Sequence, residues 1–174
     1  MQGYDLTPNE IGCYLSHKDA WKRCVEKNVP TLILEDDFVL SSHFEKILKA
    51  LLHEVTEWSF VRLQGLYEVD FKTVLEQSEF TLVKNQGDAV GATAYLLKPW
   101  VAERLIKHSV NIYEPVDHFI ERKKNNLKII AIKPYPIYAL KIQSTINDRG
   151  DRKPIKGLKK IRRSIFRLIH RAIS

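Results

Sequence analysis

The sequence predicts a single α/β domain, and three observations carry that expectation. Segments with helical apolar spacing alternate with short apolar runs of strand length. One such run, Leu32-Ile33-Leu34, follows Pro30 and ends at once in Glu35-Asp36-Asp37, at the kind of strand end where open α/β sheets bind ligands. A chain of 174 residues with 44% apolar and 28% charged content is large enough for one core and ordinary in balance.

The elements follow in order. Thr7-Pro8-Asn9-Glu10 opens a helix with a Thr cap, Pro at the first helical position and Glu at the third. This helix is expected to run to about Lys27 and stop at Asn28, burying Ile11, Tyr14, Leu15, Ala20, Trp21 and Val25. Ser16 and His17 fall beside that stripe; as adjacent helix residues they do not face each other, so they are not read as nucleophile and base. A helix over about 43–57, capped by Ser42, has apolar Phe44, Ile47, Leu48, Leu51, Leu52 and Val55. Phe60–Leu66 reads as a strand ending in a Gly turn, and residues 67–79 show no period. Phe80–Val83 and Gly91–Leu97 read as strands, Pro99 opens a helix over about 100–109, and Leu127–Ile132 is a further strand.

The three acids admit two readings. Strand side chains alternate, so Glu35 and Asp37 are expected on one face and Asp36 on the other. Two carboxylates on one face suit a hard divalent cation, Mg²⁺ or Mn²⁺. A solvated acidic turn between strand and helix is the competing reading. Further on, Glu114-Pro115-Val116-Asp117 sets two carboxylates on a backbone stiffened by Pro. Asp117 could cap a helix starting near His118 or, held on a defined backbone, act as a base, with Glu114 as the alternative base. A lone His carries little information, so His118 is taken as a structural neighbour rather than a metal ligand.

The ordered run Leu6-Thr7-Pro8-Asn9-Glu10-Ile11-Gly12-Cys13-Tyr14-Leu15-Ser16-His17, then Trp21, then Leu32-Ile33-Leu34-Glu35-Asp36-Asp37 resembles glycosyltransferase family 25. That group comprises bacterial lipopolysaccharide and lipooligosaccharide enzymes and the collagen galactosyltransferase domains. Looser matches are Gly91–Leu97, Pro115-Val116-Asp117 and Gln143-Ser144-Thr145-Ile146, so the resemblance covers about residues 4–149. It implies a glycosyltransferase A-like, Rossmann-like mixed sheet flanked by helices. It also implies a metal-dependent inverting transfer of a hexose, galactose foremost, from a uridine diphosphate sugar to a saccharide acceptor. The metal ligands would be Glu35 and Asp37, with Mn²⁺ or Mg²⁺; Asp36, Ser16 and His17 would contact substrate; Asp117 or Glu114 would be catalytic. Family members usually begin with a strand and helix upstream of this motif, where this sequence has Met1–Asp5. The fold is therefore expected to be N-terminally shortened, with an open edge beside Leu32–Leu34. A truncated, non-catalytic homologue serving as a binding or assembly partner is the alternative function.

Charge separates the chain into two parts. The whole carries 28 Lys/Arg and 21 Asp/Glu, net +7. Residues 152–174 hold nine of the basic residues and no acid, leaving 1–151 with 19 basic against 21 acidic, net −2. The expected organisation is thus a globular domain, 1–151, and a basic tail, 152–174. In that tail Leu158, Ile161, Ile165, Leu168, Ile169 and Ile173 form one helical stripe. Such an amphipathic helix is expected either to rest on an anionic membrane surface or to pack its stripe on the domain. The first option suits a lipid-linked saccharide acceptor and a peripheral place at the inner face of the cytoplasmic membrane. A near-neutral domain without a nucleic-acid motif argues against a nucleic-acid partner. Cys13 and Cys24 sit roughly 16 Å apart along one helix, too far to bridge, so they are expected as thiols in a reducing compartment. No apolar run approaches the roughly 20 residues that span a bilayer.

Overall fold

The computed structural model describes residues 5–140 apart from 56, 88 and 90. The expectations for the basic tail and for Gln143–Ile146 lie outside the described residues. The elements are α1 (Pro8–Lys27), β1 (Thr31–Leu34), β2 (Phe38–Leu40), α2 (Phe44–Glu54), β3 (Phe60–Arg62), β4 (Phe71–Glu76), β5 (Thr81–Asn85), β6 (Ala94–Leu97), α3 (Pro99–His108), α4 (Val116–Ile120), β7 (Ile129–Lys133) and β8 (Ile137–Ala139). A single 3-10 turn, Lys123–Asn125, joins α4 to β7.

Six strands form one mixed sheet in the order β1-β6-β3-β7-β5-β4. Only β3 and β7 pair in parallel within it; the other neighbours are antiparallel. A two-stranded antiparallel ribbon, β2 with β8, stands apart. The α/β mixed sheet expected from the sequence is therefore present, with β1 at one edge among the described residues.

Side-chain alternation along the central strands explains why helices cover both faces. On β6, Tyr95 and Leu97 face a core built with Tyr14 and Trp21 of α1, Leu105 of α3 and Phe119 of α4. Ala94 and Leu96 face the opposite core, where Ile47 and Leu51 of α2 meet Val61 and Ile130. At the other end of the first face Val83 and Ala131 form a separate small cluster with Tyr135. Gly65 makes this possible, because a Cβ there would meet the Tyr135 hydroxyl at 2.5 Å.

Several local expectations need correction. The capping box at Thr7 is present, with Thr7 Oγ1 accepting from Glu10 N at 3.2 Å and Thr7 N donating to Glu10 Oε2 at 3.0 Å. Yet α1 buries Glu10, Tyr14, His17, Trp21 and Cys24, leaving Ile11 and Leu15 exposed. His17 thus lies in the middle of the buried face, because Tyr95 offers it a partner there. Helix α2 starts at Phe44 without a side-chain cap; the Ser41 carbonyl, not the Ser42 side chain, closes its first turn by accepting from Phe44 N. Residues 67–79 contain β4, whose six residues are all exposed. An outer strand solvated on both faces has no apolar alternation to reveal it.

Candidate active site

The sheet delivers the acids as the motif implies. Pairing of β1 ends at Leu34, but Glu35 N still donates to Thr93 O at 2.9 Å. The chain then bends through Asp36 and Asp37 into β2. Burial follows the expected alternation: Glu35 and Asp37 are partly buried and Asp36 is exposed.

Glu35 is held by a directed chain of hydrogen bonds. Trp21 Nε1 lies 2.8 Å from Tyr95 Oη, Tyr95 Oη lies 2.8 Å from His17 Nδ1, and His17 Nε2 lies 3.2 Å from Glu35 Oε1. Indole N–H can only donate, so Tyr95 accepts from Trp21 and directs its own proton to His17 Nδ1. The imidazole is then the Nε2–H tautomer and donates to Glu35, an assignment that follows from the network. The opposite tautomer would leave the hydroxyl proton of Tyr95, a residue 1% exposed, with no acceptor among the described residues. Cys13 Sγ donates to Glu35 Oε1 at 3.4 Å, and Thr93 Oγ1 donates to Oε2 at 3.1 Å. Burial pushes the Glu35 carboxyl up, but the hydrogen bonds from His17, Thr93 and Cys13 outweigh it and hold the group below its usual range. Glu35 is therefore an ionised, oriented carboxylate at neutral pH.

Asp37 is its counterpart. Its Oδ1 is shielded from solvent and has no hydrogen-bond partner among the described residues. Burial, then the charges of Glu35 and Asp36, raise its carboxyl above the ordinary value. A carboxylate in that position calls for a cation. Hard divalent ions prefer oxygen donors, and the unpartnered Asp37 oxygen beside exposed Asp36 and oriented Glu35 fits that preference. The ligand atoms of Cys13, His17 and Glu35 also lie within 4.8 Å of one another, a donor set closer to zinc chemistry. In the directed network, however, His17 Nε2 carries a proton and has no lone pair to offer.

The other expected residues form a second cluster. Glu114 is buried and paired with Arg122 Nε at 2.5 Å. Burial raises its carboxyl above the usual range even though Arg122 pulls it down. Arg122 also stacks over Tyr113 at 4.4 Å and bonds its hydroxyl. Asp117 is half-buried and stands inside α4, whose cap position is Pro115. The expectation that Asp117 caps a helix near His118 is thus corrected: the helix starts earlier, because Pro115 sets its extended entry. Asp117 Oδ1 still accepts from His118 N at 2.8 Å. His118 is exposed. Among the described residues, no hydrogen bond or ion pair joins Asp117 or Glu114 to the acids at 35–37. Ser16 is exposed and bonds back to Gly12 O at 3.1 Å, so it and His17 part company as adjacent helix residues must.

Sequence reasoning passed over Cys13, Trp21, Thr93 and Tyr95 as functional groups, although all four stand in the motif segments. It also missed Arg62, 2% exposed, which bonds Gly91 O and pairs with Glu121. A lone Arg in an apolar strand was the available signal, since a charge is seldom buried unpaired.

The model of glycosyltransferase family 25, described as an LPS biosynthesis protein, matches residues 1–120. Procollagen galactosyltransferase 1-B of Xenopus laevis is 36% identical over 66 residues, 35% of this chain and 11% of the relative. Human procollagen galactosyltransferase 2 is 38% identical over 53 residues, 30% of this chain and 8% of the relative. A rat protein named probable inactive glycosyltransferase 25 family member 3 is 27% identical over 124 residues, 68% of this chain and 22% of the relative. The chain therefore spans well under a third of the length of each of these relatives.

Proposed function

Because the chain belongs to glycosyltransferase family 25, we propose that it transfers a hexose, galactose foremost, from a uridine diphosphate sugar to a saccharide hydroxyl, with inversion and with Mn²⁺ or Mg²⁺. The reading rests on the acidic turn after β1, where Glu35 is fixed by three side-chain donors and Asp37 keeps a shielded oxygen without a partner. Asp37 is the direct metal ligand in this reading, Glu35 its companion, and Asp36 faces the sugar or holds the turn. When bound, the ion neutralises charge that develops on the departing diphosphate. Asp117 takes the acceptor proton; Glu114 suits that role less, because Arg122 already occupies it. The acceptor is a lipid-linked saccharide of the lipopolysaccharide or lipooligosaccharide kind. The basic residues 152–174 hold the chain reversibly at the inner face of the cytoplasmic membrane.

A second reading has one observation behind it: the rat relative just described is itself named probable inactive. In that reading the chain is a binding or assembly partner. Release of uridine diphosphate from uridine diphosphate galactose, followed with a saccharide acceptor and Mn²⁺, separates the two. Turnover that is lost in Asp117→Asn is expected. Full turnover in Asp117→Asn would remove the base, and no turnover in the parent would favour the partner reading.

A further inference from the structure

Strands β1, β3 and β7 run in one direction, since β1 and β3 both lie antiparallel to β6 and β3 is parallel to β7. Their carboxyl ends therefore share one edge of the sheet, the edge where open α/β sheets bind ligands. Each of these ends is followed within three residues by a shielded oxygen that has no hydrogen-bond partner among the described residues. These are Asp37 Oδ1 after β1, Gln64 Oε1 after β3 and Tyr135 Oη after β7. Buried polar atoms are rarely left so, and Gln64 is only 4% exposed and Tyr135 8%. Asp37 belongs to the acidic turn; Gln64 and Tyr135 stand outside it.

Both residues lie close to the turn and to each other. Glu35 N donates to Thr93 O, and Leu63 N donates to Ala94 O. The chain at Gln64 is thus two strand spacings from Glu35, roughly 10 Å. A Cβ on Gly91 would meet Gln64 Oε1 at 3.0 Å. Gly91 stands two residues before Thr93, whose hydroxyl donates to Glu35 Oε2. A Cβ on Gly65 would meet the Tyr135 hydroxyl at 2.5 Å, so that hydroxyl lies against the residue next to Gln64. Leu66 Cγ would meet the Gly91 Cβ at 3.1 Å, and Leu66 is half-exposed, so the Gln64 amide lies close beneath the surface. The chemistry of the pair narrows the ligand. An amide oxygen only accepts, whereas a phenol both donates and accepts. An ionised phosphate or carboxylate has no proton to give Gln64; a sugar hydroxyl has one.

We infer that Gln64 and Tyr135 hold the ring hydroxyls of a hexose at the carboxyl edge of β3 and β7, beside the acidic turn. Gln64 Oε1 accepts one hydroxyl proton and Tyr135 Oη bonds a second hydroxyl. The inference rests on the glycosyltransferase reading for the use made of that hexose, as donor sugar or as acceptor, while binding is measured apart from transfer. A site built to bond a hydroxyl rejects ligands that lack it, because its own buried groups are then left unpaired. Gln64 and Tyr135 therefore select a hydroxylated ring, and the acidic turn takes the diphosphate.

The test uses the full chain with Gln64→Met and, separately, Tyr135→Phe, which remove the two oxygens and keep most of each side chain. Replacing an unsatisfied buried oxygen by an apolar group costs little, so both variants are expected to keep or raise the thermal midpoint. Lactose without metal and uridine diphosphate galactose with Mn²⁺ are titrated while backbone amide shifts are followed, with uridine diphosphate and Mn²⁺ as the control. One of the two sugars is expected to move amides in 63–67, 91–93 and 135; lactose marks an acceptor hexose, the nucleotide sugar a donor hexose. Its affinity is expected to fall about three- to tenfold in each variant, as for one lost hydrogen bond, with that for uridine diphosphate unchanged. A midpoint lowered in both variants shows the oxygens to be satisfied within the fold and overturns the inference. Failure of both sugars to move these amides, or parent affinity in both variants, also overturns it. An equal loss for uridine diphosphate alone gives the contact to the nucleotide and overturns the hexose. If uridine diphosphate with Mn²⁺ fails to bind while lactose still moves these amides, the donor site is refuted and the hexose site stands.

Discussion

Glu35 and Asp37 lie two residues apart, yet their surroundings push their carboxyls in opposite directions. Glu35 has donors on both oxygens, whereas Asp37 has a shielded oxygen and negative neighbours. Two consequences are measurable. In the folded chain Glu35 holds its proton less tightly than in the unfolded chain. Its contacts therefore stabilise fully above the ordinary carboxylate range, and that contribution is lost as pH falls through the depressed folded value. Urea midpoints measured down from about pH 5 are expected to decline more steeply for the parent than for Glu35→Gln; parallel curves would show that Glu35 gains nothing from His17. Tyr95→Phe is the sharper probe of the relay. It strips Trp21 Nε1 and His17 Nδ1 of their shared partner in a buried place. Leaving such groups unpaired costs on the order of 1–3 kcal/mol, read by urea denaturation, and weakened metal binding is expected alongside. A loss of stability below 0.5 kcal/mol, within the range of an ordinary surface change, would contradict the directed network.

Elements differ in how far their sequences announced them. Helix α1 was legible in its start, stop and length because Thr7, Glu10 and Asn28 are local devices. Thr7→Ala is expected to cost about 1 kcal/mol, measured as a lower thermal midpoint. Its buried face was not legible: apolar count favoured Ile11 and Leu15, while the fold chose His17, whose value depends on a partner 78 residues away. The strand β6 was legible from its four apolar residues, which are covered on both sides. Strand β4 was not, since it is exposed throughout and held by backbone pairing to β5. The acids after β1 were legible as a group. Their different roles were not, because Thr93 and His17 reach Glu35 from other elements. Gly65 illustrates the same limit, since its requirement for no side chain comes from Tyr135. Gly65→Ala is expected to destabilise by about 1–3 kcal/mol through overpacking.

At the scale of the whole chain, a near-neutral domain is joined to a strongly basic tail. Among the described residues no helix is long and apolar enough to cross a membrane. The proposed function assigns membrane contact to residues 152–174 on their charge, each basic residue near an anionic leaflet contributing about 1 kcal/mol at most. Sedimentation with anionic liposomes is expected to carry down the full chain at low salt, less at high salt, and much less a chain ending at Asp151. Equal partitioning of the two chains would refute this role. In the proposed function the chain joins two surfaces: an acidic turn for metal and diphosphate, and a cationic tail for the membrane that presents the acceptor.

The metal-diphosphate turn is the claim on which the rest depends, and calorimetry of the full chain with uridine diphosphate, with and without Mn²⁺, tests it most directly. Binding that requires Mn²⁺ and falls at least tenfold in Asp37→Ala, roughly the 1.4 kcal/mol equivalent of one lost charge-assisted contact, is the predicted result. Equal affinity for nucleotide and metal in the parent and Asp37→Ala would contradict it.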